Sequence, residues 1–166
     1  EERRRRGLAG ATLAVHVLLS QENADEAVGV LELAASLRAR SITVSHLLAQ
    51  SEEQAAQAMY GRVAPPEARR LFDALRSRAL RLGLSLTLPR LELKTERPCP
   101  FIEDEAMVVT ADGLASPCYR LAHSYPEYFL GRRKTVLAHG FGDARRESLA
   151  TIWNDGSYRT FRAMVY

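Results

Sequence analysis

At 166 residues, with 46% hydrophobic and 26% charged residues and a net charge of +3, the chain has the make-up of one ordinary globular domain, or of one small domain plus part of another. That balance excludes a disordered tail and a fibrous repeat, and two cysteines are too few for a disulfide-stapled secreted scaffold. No apolar run reaches the roughly 18 residues that span a bilayer and no apolar signal core opens the chain, so a cytoplasmic protein without a membrane partner is expected.

Lys94 and Lys134 are the only lysines, and Arg3-Arg4-Arg5-Arg6 is the one dense basic run. Such a run can grip phosphates, but it stands beside Glu1 and Glu2 with no aromatic interleaving. It reads as a solvated helix end in preference to a nucleic-acid site.

Thr12 to Leu19 is a near-continuous apolar run, the pattern of a parallel strand buried on both faces. Asn23 with Glu26 three residues later predicts a capping box, opening a helix whose stripe is Ala27, Val30, Leu31, Ala34 and Leu37. Ser41 to Leu48 is the next strand, and so short a strand-helix-strand connection predicts a parallel crossover. Residues 51 to 60 hold helix formers without a strong apolar face, which predicts a short surface helix or ordered loop. Pro65-Pro66 opens a stronger helix striped by Ala68, Leu71, Phe72, Leu75, Ala79 and Leu82 and stopped by Gly83. Leu84 to Leu88 is a third strand, ended by Pro89.

The expected class is therefore α/β, a β-α-β-α-β run forming the trailing units of a larger parallel domain whose earlier strands are absent from the chain. The alternative is a small open three-layer domain. Sites in parallel α/β folds lie beyond the carboxyl ends of the strands, which selects Ser20, Gln21 and Asn23 after the first strand and Ser45 and His46 near the end of the second. Asn23 reads equally as a helix cap, and His46 and His16 as core histidines. An exposed parallel edge also invites pairing with a second copy.

Helical periodicity stops after Pro89, and Pro98, Pro100, Pro117 and Pro126 break the remaining chain into short pieces. The expected domains are residues 1–90 and 91–166, with the boundary near residues 90 to 97. In the second, Ala106 to Thr110 and Leu114 to Cys118 flank Asp112-Gly113, a strong hairpin signal. With Asp112 and Gly113 as the central turn residues, Cys118 falls opposite Met107. Chain reversal brings Cys118 toward Cys99, which lies between two prolines. Thiolates suit iron-sulfur clusters, zinc or copper(I), but two are only half of a four-ligand site. His123 and His139 lack the paired spacing of a structural zinc set. Two buried free thiols remain the plain alternative, and a disulfide does not suit a cytosolic chain.

The pattern C-x13-G-x4-C from Cys99 through Gly113 to Cys118, followed by Gly142 and Ser148-Leu149-Ala150-Thr151-Ile152-Trp153-Asn154, resembles the opening half of the SPASM domain. That domain follows the partial (β/α) barrel of many radical S-adenosylmethionine enzymes. The upstream units resemble the closing third of that barrel. Ser45 to Leu48, His123 to Tyr128, Gly131, Arg132 and Phe141-Gly142 are most similar to maturases associated with tungsten cofactor oxidoreductases.

The resemblance implies that Cys99 and Cys118 are two ligands of an auxiliary four-iron, four-sulfur cluster serving electron transfer or substrate anchoring. It implies a parent that modifies a peptide, protein or metal cofactor, including a metalloenzyme substrate, by hydrogen abstraction. It leaves Ile152, Trp153, Tyr158, Phe161 and Arg162 to packing. The CxxxCxxC loop that cleaves S-adenosylmethionine and the later CxxC-type cysteines are both absent. The chain is thus expected to be a piece of a longer enzyme, inactive alone, whose partners are the missing barrel half and cysteine segment, with S-adenosylmethionine bound only in the full-length parent. The competing reading is a non-catalytic binding module that keeps the fold and holds no cluster.

Overall fold

The computed structural model describes residues 12–93 and 99–165, and the chain divides into two compact units between Leu93 and Lys94. The tetrad Arg3 to Arg6 lies outside the described residues.

In the amino-terminal unit the order is β1 (Ala14–Leu19), α1 (Ala27–Ser36), β2 (Ser41–His46), α2 (Glu52–Ala56), α3 (Pro66–Leu82) and β3 (Ser85–Thr87). The strands form one parallel sheet in sequence order, with Leu19 opposite His46 and Thr43 opposite Thr87. Val15, Val17, Leu19, Ile42, Val44 and Leu86 alternate onto the face that meets α1 and α3. There they join Leu31, Ala34, Phe72, Leu75 and Ala79, the helical residues that recur three and four apart.

The opposite face is open, contrary to the expected two-sided burial of β1. Ala14, His16 and Leu18 are exposed, Leu18 by 54%. An unbroken apolar run satisfies a one-sided strand as well as a two-sided one, because period two is invisible when both sets are apolar. Thr43, Ser85 and Thr87 share the exposed state, and Ser45 is half-buried. A hydrogen bond of 2.7 Å joins His16 Nε2 to Ser45 Oγ.

The local signals of α3 operate as the sequence predicts. Pro66 occupies the first turn, where its missing N–H costs nothing, and Gly83 closes the helix in the left-handed region at φ 69°. The Leu84 amide then donates back to Ala79 O at 3.0 Å. Helix α2 is short and is capped by Ser51 Oγ, which accepts from Gln54 N at 3.3 Å.

The predicted capping box does not form. Helix α1 begins at Ala27 with no side-chain cap, and Leu37, placed in its apolar stripe, is 58% exposed. Asn23 instead closes the loop after β1: its amide nitrogen donates to Leu18 O at 2.9 Å, and its oxygen accepts from Ser20 N at 2.9 Å. A short amide side chain can serve a turn or a helix end, and here the turn wins.

In the carboxyl-terminal unit α4 (Pro100–Glu103) precedes a hairpin of β4 (Val108–Val109) and β5 (Ala115–Ser116). A 3₁₀ turn (Tyr119–Leu121), a second hairpin of β6 (Tyr125–Phe129) and β7 (Arg132–Val136), and helices α5 (Leu149–Asn154) and α6 (Gly156–Val165) complete it. The chain is thus mixed α/β, a parallel three-stranded sheet in one unit and small antiparallel sheets in the other.

The first hairpin differs from expectation by one residue. Val108 faces Ser116 and Val109 faces Ala115, so Thr110 and Leu114 bracket a three-residue loop, Ala111-Asp112-Gly113. Continuing that register sets Cys118 against Ala106, beyond the ladder, and not against Met107. Gly113 at φ 88° supplies the left-handed residue such a loop needs, an alternative to a two-residue turn that the same Asp-Gly pair serves equally well. The second hairpin turns at Leu130-Gly131, with φ values of 50° and 76°. Its Glu127 is almost wholly buried, paired with Arg120 and, at 2.6 Å, with Lys134 on the facing strand.

Burial separates sites on α3 that composition alone would rank together. Phe72→Ala should lower the stability of the amino-terminal unit by about 3–5 kcal/mol, because Phe72 is fully buried. Leu80→Ala, at a position 83% exposed, should cost less than about 0.5 kcal/mol. Urea denaturation of the two variants measures both.

Candidate metal centre

Cys99 and Cys118 occupy the same kind of local position. Cys99 has an extended backbone at the head of α4, where its carbonyl accepts from Ile102 N (2.9 Å) and Glu103 N (3.0 Å). Cys118, also extended, heads the 3₁₀ turn, and its carbonyl accepts from Leu121 N at 3.1 Å. Both are free thiols and half-buried. The rings of Phe101 and Tyr119, within two residues of the respective cysteines, lie 5.5 Å apart, so the two heads are brought alongside each other.

The placement of Cys118 depends on β5, and β5 is held from two sides. On one side is β4. On the other, the Phe141-Gly142-Asp143 segment runs as a third strand: Ala115 N donates to Gly142 O and Phe141 N donates to Ala115 O, both at 2.9 Å. Ala144 N donates to Gly113 O at 2.8 Å. The buried Ser116 hydroxyl sits between the carbonyls of His139 (2.9 Å) and Cys118 (3.2 Å).

Gly142 must lack a side chain, since a Cβ there would stand 2.7 Å from Ile152 Cγ1 on α5. Ser148 caps α5 by accepting from Thr151 N at 3.1 Å. Ile152 is buried while Leu149, on the same predicted face, is 49% exposed.

Asp143 ties the turn to the loop beyond it. It accepts from Arg145 N at 3.0 Å and from the Arg145 guanidinium at 2.9 Å through both oxygens. The Arg145 side chain, then its backbone amide, lowers the Asp143 pKa from 3.8 to about 2. Asp112 is also held below the ordinary range, first by the Thr110 hydroxyl.

Trp153, Tyr158 and Arg162, expected to serve packing, form a stack with Phe141. Phe141 lies parallel to Tyr158 at 4.4 Å, Trp153 meets Tyr158 edge-on at 5.3 Å, and the Arg162 guanidinium lies over Trp153 at 4.0 Å and Tyr158 at 4.3 Å. Arg162 Nη2 also donates to Trp153 O at 2.8 Å. Nothing in the spacing distinguishes Arg162 from other surface arginines, and only the fold puts it over two rings.

Among the described residues no three potential metal-binding side chains come together, so Cys99, Cys118, His123 and His139 do not form a zinc set. His139 is engaged edge-on with Phe141 at 4.8 Å.

The amino-terminal candidates gather at the carboxyl end of the sheet, as the pairing of Leu19 with His46 requires. Ser20 and Asn23 are bonded to each other in the β1–α1 loop. Gln21 N donates to Gln57 O at 3.0 Å and its side chain to Ala58 O at 3.4 Å. His46 Nε2 lies 2.6 Å from Arg90 O, which assigns the proton to Nε2 and leaves the buried Nδ1 without a partner. Burial lowers the His46 pKa, and the bond to the Arg90 carbonyl partly opposes that. Its ring rests on Tyr60 at 4.6 Å.

Residues 99–166 match the SPASM family, described as an iron-sulfur cluster-binding domain. The chain is 35% identical over 153 residues to a "tungsten-containing aldehyde ferredoxin oxidoreductase cofactor-modifying protein" of Pyrococcus furiosus. The match covers 91% of this chain and 42% of that relative, so the chain spans less than half of the relative's length. Both findings bear out the resemblance drawn from Cys99, Gly113, Cys118 and the residues after them. Among the described residues no helix is long and apolar enough to cross a membrane.

Because the folded pKa of Asp143 is depressed, its stabilising contribution is present above pH 3.8 and is lost as pH falls from there through about 2. Carboxyl-carbon NMR should give a midpoint near 2 for Asp143, rising toward 3.8 in Arg145→Gln.

Proposed function

We propose that this chain, whose residues 99–166 match the SPASM family of iron-sulfur cluster-binding domains, is the carboxyl-terminal part of a radical S-adenosylmethionine maturase that modifies a peptide, protein or metal cofactor. The observation that carries the reading is the pair of free, half-buried cysteines heading two adjacent short helical turns within the matched segment. In this reading Cys99 and Cys118 are two ligands of an auxiliary four-iron, four-sulfur cluster. Soft thiolates are the donors such clusters take. Both cysteines are partly exposed. The remaining ligands come from outside the described residues, since no third donor joins the two cysteines there. The cluster, when bound, supplies electron transfer or a point of attachment for substrate.

The amino-terminal unit supports the same reading. Its strands succeed one another in order, both long helices cover one face, and the other face is open and carries His16, Thr43, Ser45 and Thr87. An arc of a (β/α) barrel has this one-sided arrangement, with helices outside and a lumen lined by the opposite residues. Ser20, Asn23 and His46, at the carboxyl ends of the strands, are then the residues of this chain nearest a bound S-adenosylmethionine or substrate. Asn23 would act by holding the β1–α1 loop, since both ends of its amide are already engaged. The activity belongs to the full-length protein, with the rest of the barrel and its CxxxCxxC loop. A reducing cytoplasm keeps both thiols available to iron.

Anaerobic iron-sulfur reconstitution of the full-length protein tests the ligand assignment. Cys99→Ala and Cys118→Ala should each lower bound iron and sulfide and weaken the visible thiolate-to-iron absorbance. Unchanged iron and absorbance in both variants would sink the assignment and leave a binding module without a cluster.

A further inference from the structure

Strand β7 is the outer strand of its hairpin. Residues 132–135 are all exposed, whereas β6 carries the buried Glu127 and the half-buried Tyr125, Tyr128 and Phe129. The phase of hydrogen bonding along the ladder follows from the turn and from Pro126. The two-residue loop Leu130-Gly131 closes on the pair Phe129 and Arg132, so the bonded pairs are that one, Glu127 with Lys134, and Tyr125 with Val136. Pro126, which has no N–H to give, falls in the intervening phase opposite Thr135. The N–H and C=O groups of Arg133 and Thr135 therefore point away from β6. No backbone hydrogen bond from another segment meets them among the described residues.

Such an edge is a template for one more strand, and its charge decides which strand it accepts. Residues 119–139 hold four basic side chains, Arg120, Arg132, Arg133 and Lys134, against one acidic, Glu127, which pairs with Arg120 and Lys134. Arg132 and Arg133 are left exposed and without a carboxylate, and as successive strand residues they stand on opposite faces of the hairpin. The rest of residues 99–166 has the opposite balance, seven acidic side chains to four basic, so the positive charge is a local property of the hairpin. A second copy of β7 would set arginine against arginine and is repelled. A phosphate backbone could meet the guanidinium groups but could not match the alternating donors and acceptors of the strand. The edge is also held ready: just past β7 the Ala138 amide donates to Ser124 Oγ at 2.9 Å and the His139 amide to Leu121 O at 2.8 Å. Little further ordering is then needed on binding.

We propose that β7 is a docking edge for an extended acidic segment of a partner protein, which adds as a further strand on the main chain of Arg133 and Thr135 and sets carboxylates against Arg132 and Arg133. Main-chain pairing supplies the attachment, and the two arginines supply the preference for acidic sequence. The proposal is independent of whether Cys99 and Cys118 hold a cluster.

Fluorescence anisotropy of a labelled synthetic peptide of alternating threonine and glutamate, mixed with the full-length protein at low salt, tests the charge. The peptide should bind, its counterpart with lysine in place of glutamate should not, and Arg132→Gln combined with Arg133→Gln should weaken binding about tenfold. Amide hydrogen exchange of the unmutated protein, read by mass spectrometry, tests the pairing: the peptide should slow exchange at Arg133 and Thr135. Failure of the acidic peptide to bind, or undiminished binding by the double variant, overturns the proposal. So does binding that leaves the Arg133 and Thr135 amides unprotected, since the contact would then be ionic only. An oligothymidylate that binds more tightly than the peptide and loses affinity in the same variant would make the hairpin a nucleic-acid contact and overturn it as well.

Discussion

The carboxyl-terminal unit depends on a short stretch of backbone pairing, in which Ala115 donates to Gly142 and accepts from Phe141. A two-residue strand such as β5 has too few bonds of its own to hold a direction, and isolated hairpins are marginal in water. The second line of hydrogen bonds gives β5 a neighbour on each side. It also delivers Phe141 to the face of Tyr158 and brings Gly142 under Ile152. One backbone contact thereby sets both the direction in which the chain reaches Cys118 and the position of the helices behind it. The absence of side chains at Gly140 and Gly142 is what permits the close approach, since a Cβ at either would overlap a leucine or isoleucine at well under 3.0 Å.

The two units satisfy their polar groups differently. In the amino-terminal unit one face of the sheet is covered and the open face presents Ala14 and Leu18 beside polar side chains, with His16 and Ser45 bonded to each other. In the carboxyl-terminal unit short elements are held by side chains: Asp143 by Arg145, Glu127 by Arg120 and Lys134, and the Cys118 carbonyl by Ser116. A unit with two small clusters of strands and few fully buried apolar residues relies on such polar ties because its core is small.

Several features were legible because their causes are local. Pro65-Pro66 and Gly83 delimit α3 through proline's fixed φ and glycine's left-handed one, and Ser148 caps α5 through its own hydroxyl. The β-α-β-α-β order comes from apolar periodicity, and Asp112-Gly113 marks the first hairpin. The spacing of Cys99 and Cys118 about Gly113 carries the SPASM resemblance, and residues 99–166 match that family. Where two structures satisfied the same local signal, the reading failed. Asn23 serves a turn as readily as a cap, and an Asp-Gly pair fits a two- or three-residue loop. The hairpin at Leu130-Gly131 escaped notice because β7 reads as a charged run, Arg132-Arg133-Lys134, before the burial of Glu127 gives it a partner.

By itself the sequence determined which residues are able to do chemistry, two thiols in a SPASM-like pattern, and the order of elements that carries them, since both are matters of residue type and short-range spacing. Only the tertiary structure decided that β1 is covered on one face, that the hairpin register runs one residue away from the simplest turn, and that Tyr158 is buried in a stack with Phe141 and Trp153. Each of those is a relation between segments distant in the chain, set by which surfaces exclude water and which hydrogen bonds are left unmade, and no local propensity encodes it.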